Sequence, residues 1–525
     1  MELQTRRGRQ SATCNLKSAV SCCLLLLASG GVLPRAATPN RQLLIVLDGL
    51  RPDYVTKDVM PHVFAIGRRG VVFTHHHSVF PTVTRVNASS IVTGSYPAAH
   101  GLMGNSVFFP QVRRDRFLDT EERANLLDID AAVQGALLTA PALGESLQAA
   151  GKKLLVVSAG STGSSFLLNH KVAGGAVLHS EYVLPDALRG EFPPELAEPL
   201  PPNAAPSAKN RRAVDLLLQV GLPKVAPAVT VLWLTDPDTT AHQHGIGDPV
   251  TVDALRRLDG EVKRVEDGLA RAGLMDTFDI WVTSDHGFST YTGGIDLDGV
   301  LSPFAATLPD GSPRIVAGGG AVYVRDHDQA VVAGIVKKLQ RTDGVGAIFT
   351  PAMRPGSWEG RVPGTLSFDA IRWNHDRSAD ILFSPDWTDR PNAFGFRGTT
   401  ASRGVAGHGS SSPFDIHNVL VAAGPDLKQR VTFKTPTGNV DFATTFLHLL
   451  GIPIPSSMEG RVLDEALRDG PDGRGMATRT LRPTTRSPDG SYALTGVFSI
   501  VQSGRNEYRY FDYTEVRRSR PSTVH

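Results

Sequence analysis

The sequence predicts an α/β fold in which a mostly parallel sheet is covered by helices on both faces and followed by a small C-terminal β meander. Three observations carry that prediction. Short continuous apolar runs recur along the chain, each run stops at a turn signal, and segments with helical periodicity lie between them. An apolar run without polar alternation is buried on both faces, the habit of strands in parallel α/β sheets.

The runs come in order. Residues 43–47 end at Asp48-Gly49, and residues 154–157 end in Ser158-Ala159-Gly160. Residues 228–234 end at Thr235-Asp236, residues 278–283 at Ser284-Asp285-His286-Gly287, and residues 419–422 at Gly424-Pro425. The clearest helix covers 252–272, where Val252, Leu255, Leu258, Val262, Val265, Leu269 and Ala272 recur at spacings of three and four. Shorter helices are expected over 141–150 (with Pro141 at the first helical position), 211–220, 330–339 and 442–450. Pro- and Gly-rich stretches at 193–206 and 354–364 read as loops or insertions. Near the end, alternating Tyr492, Leu494, Val497, Ile500, Tyr508, Tyr510 and Tyr513 predict a hairpin or meander. No internal repeat is visible.

Arg6, Arg7, Arg9 and Lys17 precede an apolar run at 19–28, and small residues follow as far as Ala36-Ala37. That order of charge, apolar run and small-residue site reads as a secretory signal over 1–37. The run is too short to span a bilayer; a retained N-terminal anchor is the alternative reading. All 3 cysteines, Cys14, Cys22 and Cys23, fall in this leader. A mature chain without cysteine excludes a disulfide scaffold, thiolate catalysis and Cys-ligated zinc. A periplasmic or secreted protein fits. The 54 Lys and Arg nearly cancel the 52 Asp and Glu, and no basic stripe with interleaved aromatics appears, so no nucleic-acid surface is expected.

The chemistry is concentrated in six side chains far apart in sequence: Asp48, Asp238, His242, Asp285, His286 and His408. Each has a plain reading alone, such as a turn aspartate at Asp48 or a capping Asp238 with an exposed His242. Together, three carboxylates and three imidazoles are too many to bury unless cations neutralise the acids. The count suits two divalent ions sharing an oxygen nucleophile, as used for in-line displacement at phosphorus. Asp48, Asp285 and His286 fall at strand ends, and open parallel sheets assemble their sites beyond the carboxyl ends of the strands. Asp238 and His242, if helical, lie one turn apart on one face. Thr84 is the nucleophile candidate, at the start of an expected helix over 85–93, where the helix N-terminus and a cation both favour the alkoxide. Its plainer role is that of an N-cap residue. Thr82 is the rival nucleophile.

The motifs Leu-Asp-Gly-Leu-Arg-Pro, Phe-Pro-Thr-Val-Thr, Ile-Val-Thr-Gly-Ser-Tyr-Pro-Ala-Ala-His-Gly, Asp-Pro-Asp-Thr-Thr-Ala-His, Ser-Asp-His-Gly and Gly-His-Gly occur in that order. Across residues 43–450 the chain resembles the type I phosphodiesterase/nucleotide pyrophosphatase family of the alkaline phosphatase superfamily. The resemblance implies an alkaline-phosphatase-like catalytic domain over 38–475, with inserted loops or a cap around 295–400 and a C-terminal β extension over 476–525. It implies two zinc ions, one held by Asp238, His242 and His408, the other by Asp48, Asp285, His286 and the Thr84 oxygen. The same N/O ligands also accept manganese or iron. It further implies a phospho-threonine intermediate on Thr84, with Asn105 binding the phosphoryl oxygen. His100 and Asp236 lie inside matching motifs and read as structural. The substrate is then a small phosphoester, pyrophosphate or phosphonate.

The chain departs from the family beside the nucleophile. Nucleotide-hydrolysing members usually carry Phe-Pro there, and this chain has Arg85-Val86. Arg85 thereby becomes a candidate for binding an anionic substrate group. Gly104-Asn105 is similar to phosphonoacetate hydrolases, a sister branch with the same metal ligands. Arg113, Arg114 and Arg116 read as solvated surface charge. The alternatives are therefore a carbon–phosphorus hydrolase, a phosphomonoesterase, and a metal-stabilised binding protein without catalysis.

Overall fold

Ten strands build the central sheet of the computed structural model, which describes residues 40–201, 203–473 and 476–519. The expected signal over 1–37 lies outside the described residues. The strands are β1 (Arg41–Leu47), β2 (Val71–His77), β3 (Leu154–Ser158), β4 (Ala176–His179), β5 (Val183–Leu184), β6 (Val229–Leu234), β7 (Phe278–Thr283), β8 (His417–Ala423), β9 (Val431–Phe433) and β10 (Thr437–Gly438). Their spatial order is β9-β2-β8-β7-β1-β6-β3-β4-β5, with β10 also beside β2. Parallel pairing joins β1 to β6 and β7, β3 to β4 and β6, and β2 to β9 and β10. Only β5 and β8 run the other way.

The apolar runs at 43–47, 154–157, 228–234 and 278–283 are parallel strands, as their two-sided burial requires. The run at 419–422 lies in β8, which is antiparallel to both neighbours and so starts at the edge where the parallel strands finish. β2 reads Val-Val-Phe-Thr-His-His-His, and its polar second half hides it from a hydrophobic pattern.

Alternate residues of β1 feed two cores. Leu43, Ile45 and Leu47 pack with Val63 and Ile66 of helix Pro61–Arg69 and with Leu255, Leu258, Val262, Val265 and Leu269 of helix Pro249–Arg271. Leu44 and Val46 face the opposite core, with Ile91 and Val92 of helix Thr84–Thr93 and Phe442 and Phe446 of helix Asp441–Leu449. Asp248 caps the long helix by accepting from the Val250 N–H, and Pro249 occupies its first position. Val252 is only half-buried and Ala272 is the exposed C-cap, so the buried stripe is shorter than the sequence period. The helix expected from Pro141 begins at Leu143 instead. Glu145 reaches back to accept from the Ala142 N–H at 2.8 Å, which fixes the start there.

Between β7 and β8 the chain forms two smaller sheets. One has five strands, Ile315–Gly318, Ala321–Val324, Ile381–Pro385, Val345–Thr350 and Leu366–Ser367 in spatial order. The other, with four, comprises Trp387–Pro391, Arg397–Thr400, Ser289–Tyr291 and Ala406–Gly407. The C-terminal strands Ala477–Leu481, Thr484–Arg486, Tyr492–Ser503 and Asn506–Arg518 pair antiparallel. Tyr492, Leu494, Phe498, Ile500 and Phe511 share a core with Val322, Ile348 and Phe349 of the five-stranded sheet. The meander therefore closes over the insertion.

Leu258→Ala should cost about 2–5 kcal/mol in urea unfolding, because it removes a fully packed side chain between helix and sheet. Arg256→Ala, two residues away on the exposed face, should stay within about 0.5 kcal/mol. Equal losses in the two variants would contradict this packing.

Candidate active site

All six expected ligands gather at one edge of the sheet. β1 stops at Leu47 and Asp48 follows, with Gly49 at φ +72°. A Cβ at Gly49 would press on the Asp238 Cβ and on Phe288, each at 3.1 Å, so the close approach of the two ligand loops needs glycine. The Asp238 N–H also donates to the Asp48 carbonyl at 3.0 Å. Helix Asp238–His244 puts Asp238 and His242 one turn apart. β7 delivers Asp285 and His286, and a side chain at Gly287 would overlap the Phe414 carbonyl oxygen. His408 arrives through the four-stranded sheet: Ser289 and Thr290, just past His286, pair with Gly407 and Ala406, just before His408.

The three imidazoles share one hydrogen-bonding pattern. Nδ1 of His242 donates to the Ala406 carbonyl at 2.9 Å, that of His286 to Gly287 at 2.9 Å, and that of His408 to Thr82 at 2.8 Å. A carbonyl only accepts, so each proton sits on Nδ1 and each Nε2 turns a lone pair inward, the preparation expected of metal-binding histidines. Those lone pairs meet carboxylate oxygens. Asp238 Oδ1 lies 3.3 Å from Nε2 of both His242 and His408. Asp285 Oδ2 and Asp48 Oδ1 lie 3.1 and 3.6 Å from His286 Nε2. These same three oxygens are buried without a hydrogen-bond partner. A tetrahedral ion with bonds of about 2.0–2.2 Å separates its ligand atoms by about 3.3–3.6 Å, so the spacing fits cations between them.

The remaining carboxylate oxygens are held by donors. Asp48 Oδ2 accepts from Trp233 Nε1 at 2.9 Å, and Asp285 Oδ1 from the Gly49 N–H at 3.1 Å. Asp48, Asp285 and His286 form one cluster; Asp238, His286 and His408 form a second, and His242 joins it through Asp238. The His286 and His408 rings stack with centroids 3.5 Å apart. Burial, then the charges of Asp285 and Asp238, push the Asp48 carboxyl well above its usual range. Burial also opposes ionisation of Asp238, but the imidazoles of His242 and His408 outweigh it and hold that carboxyl well below. Burial and His286 push His408 down to about 4, so its Nε2 is free to bind a cation at neutral pH.

Thr84 is the first residue of helix Thr84–Thr93 and is not its cap. Val83 occupies that position without a side-chain bond, and Thr84 Oγ1 lies 3.3 Å from His286 Nε2. The Thr82 hydroxyl instead donates to the Ser410 carbonyl at 2.9 Å and accepts from the Gly409 N–H at 3.1 Å. Asn105 Oδ1 accepts from the Arg85 N–H at 2.9 Å. The Arg85 guanidinium is 12% exposed, lies 3.5 Å from Asp119 and 3.9 Å from Glu121, and has a buried Nε without a partner. His100 is buried between the Ser90 hydroxyl and the Leu102 N–H, and Asp236 between Thr240 and Asn210. Arg113 and Arg114 are exposed near Asp115 and Asp310.

Several supporting residues carry no sequence signal. Trp233 reads as one more apolar strand residue, Asn439 donates to the Asp285 carbonyl at 2.8 Å, and Asp415 accepts from the Ser410 N–H at 2.9 Å. Trp233 and Asn439 act across long stretches of chain, and Asp415 also accepts from the distant Ser289 hydroxyl.

A buried cluster of imidazole and carboxylate at the carboxyl edge of an α/β sheet, with a hydroxyl at a helix N-terminus beside it, defines a metal-dependent hydrolase. The family described as type I phosphodiesterase / nucleotide pyrophosphatase matches residues 42–389, and the chain belongs to it. It is therefore a hydrolase of the phosphodiesterase/nucleotide pyrophosphatase kind, from a metal-dependent family acting on small nucleotide and phosphoester substrates. The bis(5'-adenosyl)-triphosphatase ENPP4 of Homo sapiens is 25% identical over 439 residues, covering 80% of this chain and 81% of that protein. The ectonucleotide pyrophosphatase/phosphodiesterase family member 1 of Homo sapiens is 26% identical over 248 residues, 47% of this chain and 23% of that protein. In fold, the chain is similar to human ectonucleotide pyrophosphatase/phosphodiesterase 5, with a TM-score of 0.58 at 18% identity over 82% of this chain and 100% of that one. An inactive threonine-to-alanine variant of the murine protein in complex with AMP gives a TM-score of 0.56 at 18% identity, with the same coverage. No helix among the described residues is long and apolar enough to cross a membrane.

Trp233→Phe keeps the ring and removes the donor to Asp48. Metal affinity, read by competition with a chelating dye, should fall about 10–100-fold with the fold intact. Unchanged affinity would contradict the orienting role of Trp233.

Proposed function

We propose that this chain is a secreted di-zinc hydrolase that cleaves phosphodiester or pyrophosphate bonds through a phospho-threonine intermediate. One observation carries the reading: three partnerless carboxylate oxygens face three imidazole lone pairs, with Thr84 Oγ1 3.3 Å from one of those imidazoles. Asp238, His242 and His408 hold one zinc; Asp48, Asp285, His286 and Thr84 hold the other. Manganese and iron suit the same donors. Bound there, zinc supplies Lewis acidity at the phosphoryl oxygens and lowers the pKa of an attached hydroxyl or water.

The chain's own residues then do the rest. Thr84 Oγ1 gives its proton to solvent and forms a bond to phosphorus as the bond to the leaving oxygen breaks on the opposite side, the leaving oxygen taking up a proton from solvent. The positive end of helix Thr84–Thr93 favours the anionic oxygen. Asn105, its Oδ1 fixed by the Arg85 N–H, keeps its amide N–H groups for a non-bridging oxygen as charge builds. Water then cleaves the Oγ1–P bond, releasing phosphate product and restoring Thr84. Secretion rests on the signal-like segment 1–37.

The relatives point to nucleotides: one is named a bis(5'-adenosyl)-triphosphatase, and AMP occupies the murine neighbour. Arg85 favours a second reading, a phosphonoacetate-type substrate whose carboxylate is the additional anionic group, because a guanidinium stands where a stacking ring is usual.

Thr84→Ala should reduce hydrolysis of bis(p-nitrophenyl) phosphate by more than about a thousandfold while both metals remain bound. Undiminished turnover would overturn the nucleophile and point to Thr82. Rates on diester, monoester, nucleotide and phosphonoacetate, measured side by side in wild type and Arg85→Ala, should show the nucleotide preferred and a raised KM in the variant. Phosphonoacetate preferred by the wild type would establish the second reading instead.

A further inference from the structure

We propose that His77, His417 and Asp512 form an additional divalent-metal site, separate from the active centre, that staples the C-terminal hairpin to the central sheet. His77 is the last residue of β2 and His417 the first of β8, and the two are direct cross-strand partners with ring centroids 4.7 Å apart. Asp512 comes from the C-terminal strand Asn506–Arg518. Along that hairpin Val497 faces Tyr513 while Phe498 faces Phe511, so Asp512 is the extra residue of a β-bulge. A bulge re-aims its side chain out of the ordinary pleat. Here it sends Asp512 Oδ1 to 2.8 Å from His77 Nε2 and 3.4 Å from His417 Nε2.

The hydrogen bonds follow the same logic as in the active site. His77 Nδ1 faces the Thr437 carbonyl at 2.8 Å and must donate to it. A neutral His77 therefore turns an Nε2 lone pair toward the carboxylate. His417 Nε2 is buried and has no hydrogen-bond partner. An imidazolium at His77 paired with Asp512 would satisfy the first contact and leave the buried His417 Nε2 without a hydrogen bond. One cation among the three atoms, with the 2.8 Å His77–Asp512 contact opened by about 0.5 Å to the spacing of ligand atoms on one ion, serves both nitrogens, and two imidazoles with one carboxylate suit zinc or a neighbouring first-row ion. The side chains of His77 and Asp512 are 2% and 8% exposed, but that of His417 is 28% exposed, which leaves an open side for entry and for a water ligand.

The staple has a structural consequence close to the chemistry. Thr514, two residues beyond Asp512, donates its N–H to the Ser411 carbonyl at 3.2 Å, and its hydroxyl lies 2.6 Å from the Ser411 hydroxyl. Ser411 is three residues past His408. The hairpin thus braces the loop that carries an active-site histidine, and an ion at its bulge adds binding energy to that docking.

The test is to strip the full-length protein of metal, reload it with zinc, remove excess ion and count zinc per chain by mass spectrometry. The wild type should hold one ion more than His417→Ala and than Asp512→Asn. Both variants should keep their circular dichroism spectra and diesterase activity, and lose part of the zinc-dependent rise in Tm. An Asp238→Ala/Asp285→Ala background should keep the additional ion and give it up when His417→Ala is added. If the reading of the active centre fails, the Asp238 and Asp285 changes leave the zinc count unaltered while His417→Ala still removes one ion. Equal zinc counts in wild type, His417→Ala and Asp512→Asn would overturn the proposal and leave His77 and Asp512 as an ion pair.

Discussion

Three carboxylate oxygens, on Asp48, Asp238 and Asp285, lie buried with no donor against three imidazole lone pairs. Everything else at this edge of the sheet depends on how that repulsion is balanced. An unpaired buried charge costs several kcal/mol, and three of them rival the whole net stability of a domain, about 5–15 kcal/mol. Protonation relieves only part of it: burial and His286 push His408 down to about 4, so at neutral pH its Nε2 lone pair still faces Asp238. Divalent cations reverse the sign of every one of these contacts. The cluster is thus a preformed receptor for positive charge, and the same charge is what phosphoryl transfer requires.

The sheet makes such a receptor possible. β1, β6 and β7 are adjacent and parallel, so the segments following them emerge side by side although they are far apart in sequence. Backbone contacts lock the loops together: the Asp238 N–H on the Asp48 carbonyl, the Gly49 N–H on the Asp285 carboxylate. β8 runs antiparallel and enters from the same edge, which lets the chain preceding it deliver His408. Thr84 belongs to the opposite-face helix that follows β2, and its hydroxyl reaches the cluster from the helix N-terminus.

Much of this was legible in the sequence because strand ends are marked twice, by a stopped apolar run and by the polar residues that follow. Asp48, Asp285 and His286 could be brought together from that pattern alone, and Asp238 with His242 from helical spacing. His408 could not, because its position depends on Ala406-Gly407 pairing with Ser289-Thr290, a contact across the whole insertion. Trp233 was hidden for a different reason: its apolar ring belongs to the strand, while its single N–H serves Asp48. β2 was hidden by its own histidines, and the helix near 141 starts late because Glu145 fixes the cap. That the Thr82 hydroxyl is already committed, to Ser410 and Gly409, is likewise visible only in the hydrogen bonding.

Chemistry and substrate are thus specified to different depths. The ligand cluster, the helix N-terminus and Asn105 follow from backbone geometry that tolerates little change. The substrate pocket rests on a few side chains, with Arg85 foremost among them. The central claim, that cations balance the buried carboxylates, is tested most directly by anomalous diffraction at the zinc edge on crystals of the protein as purified. The account requires two peaks at the strand-end edge, one among Asp238, His242 and His408, the other among Asp48, Asp285, His286 and Thr84. Absence of anomalous density there, with the same carboxylates still buried and unpaired, would contradict it.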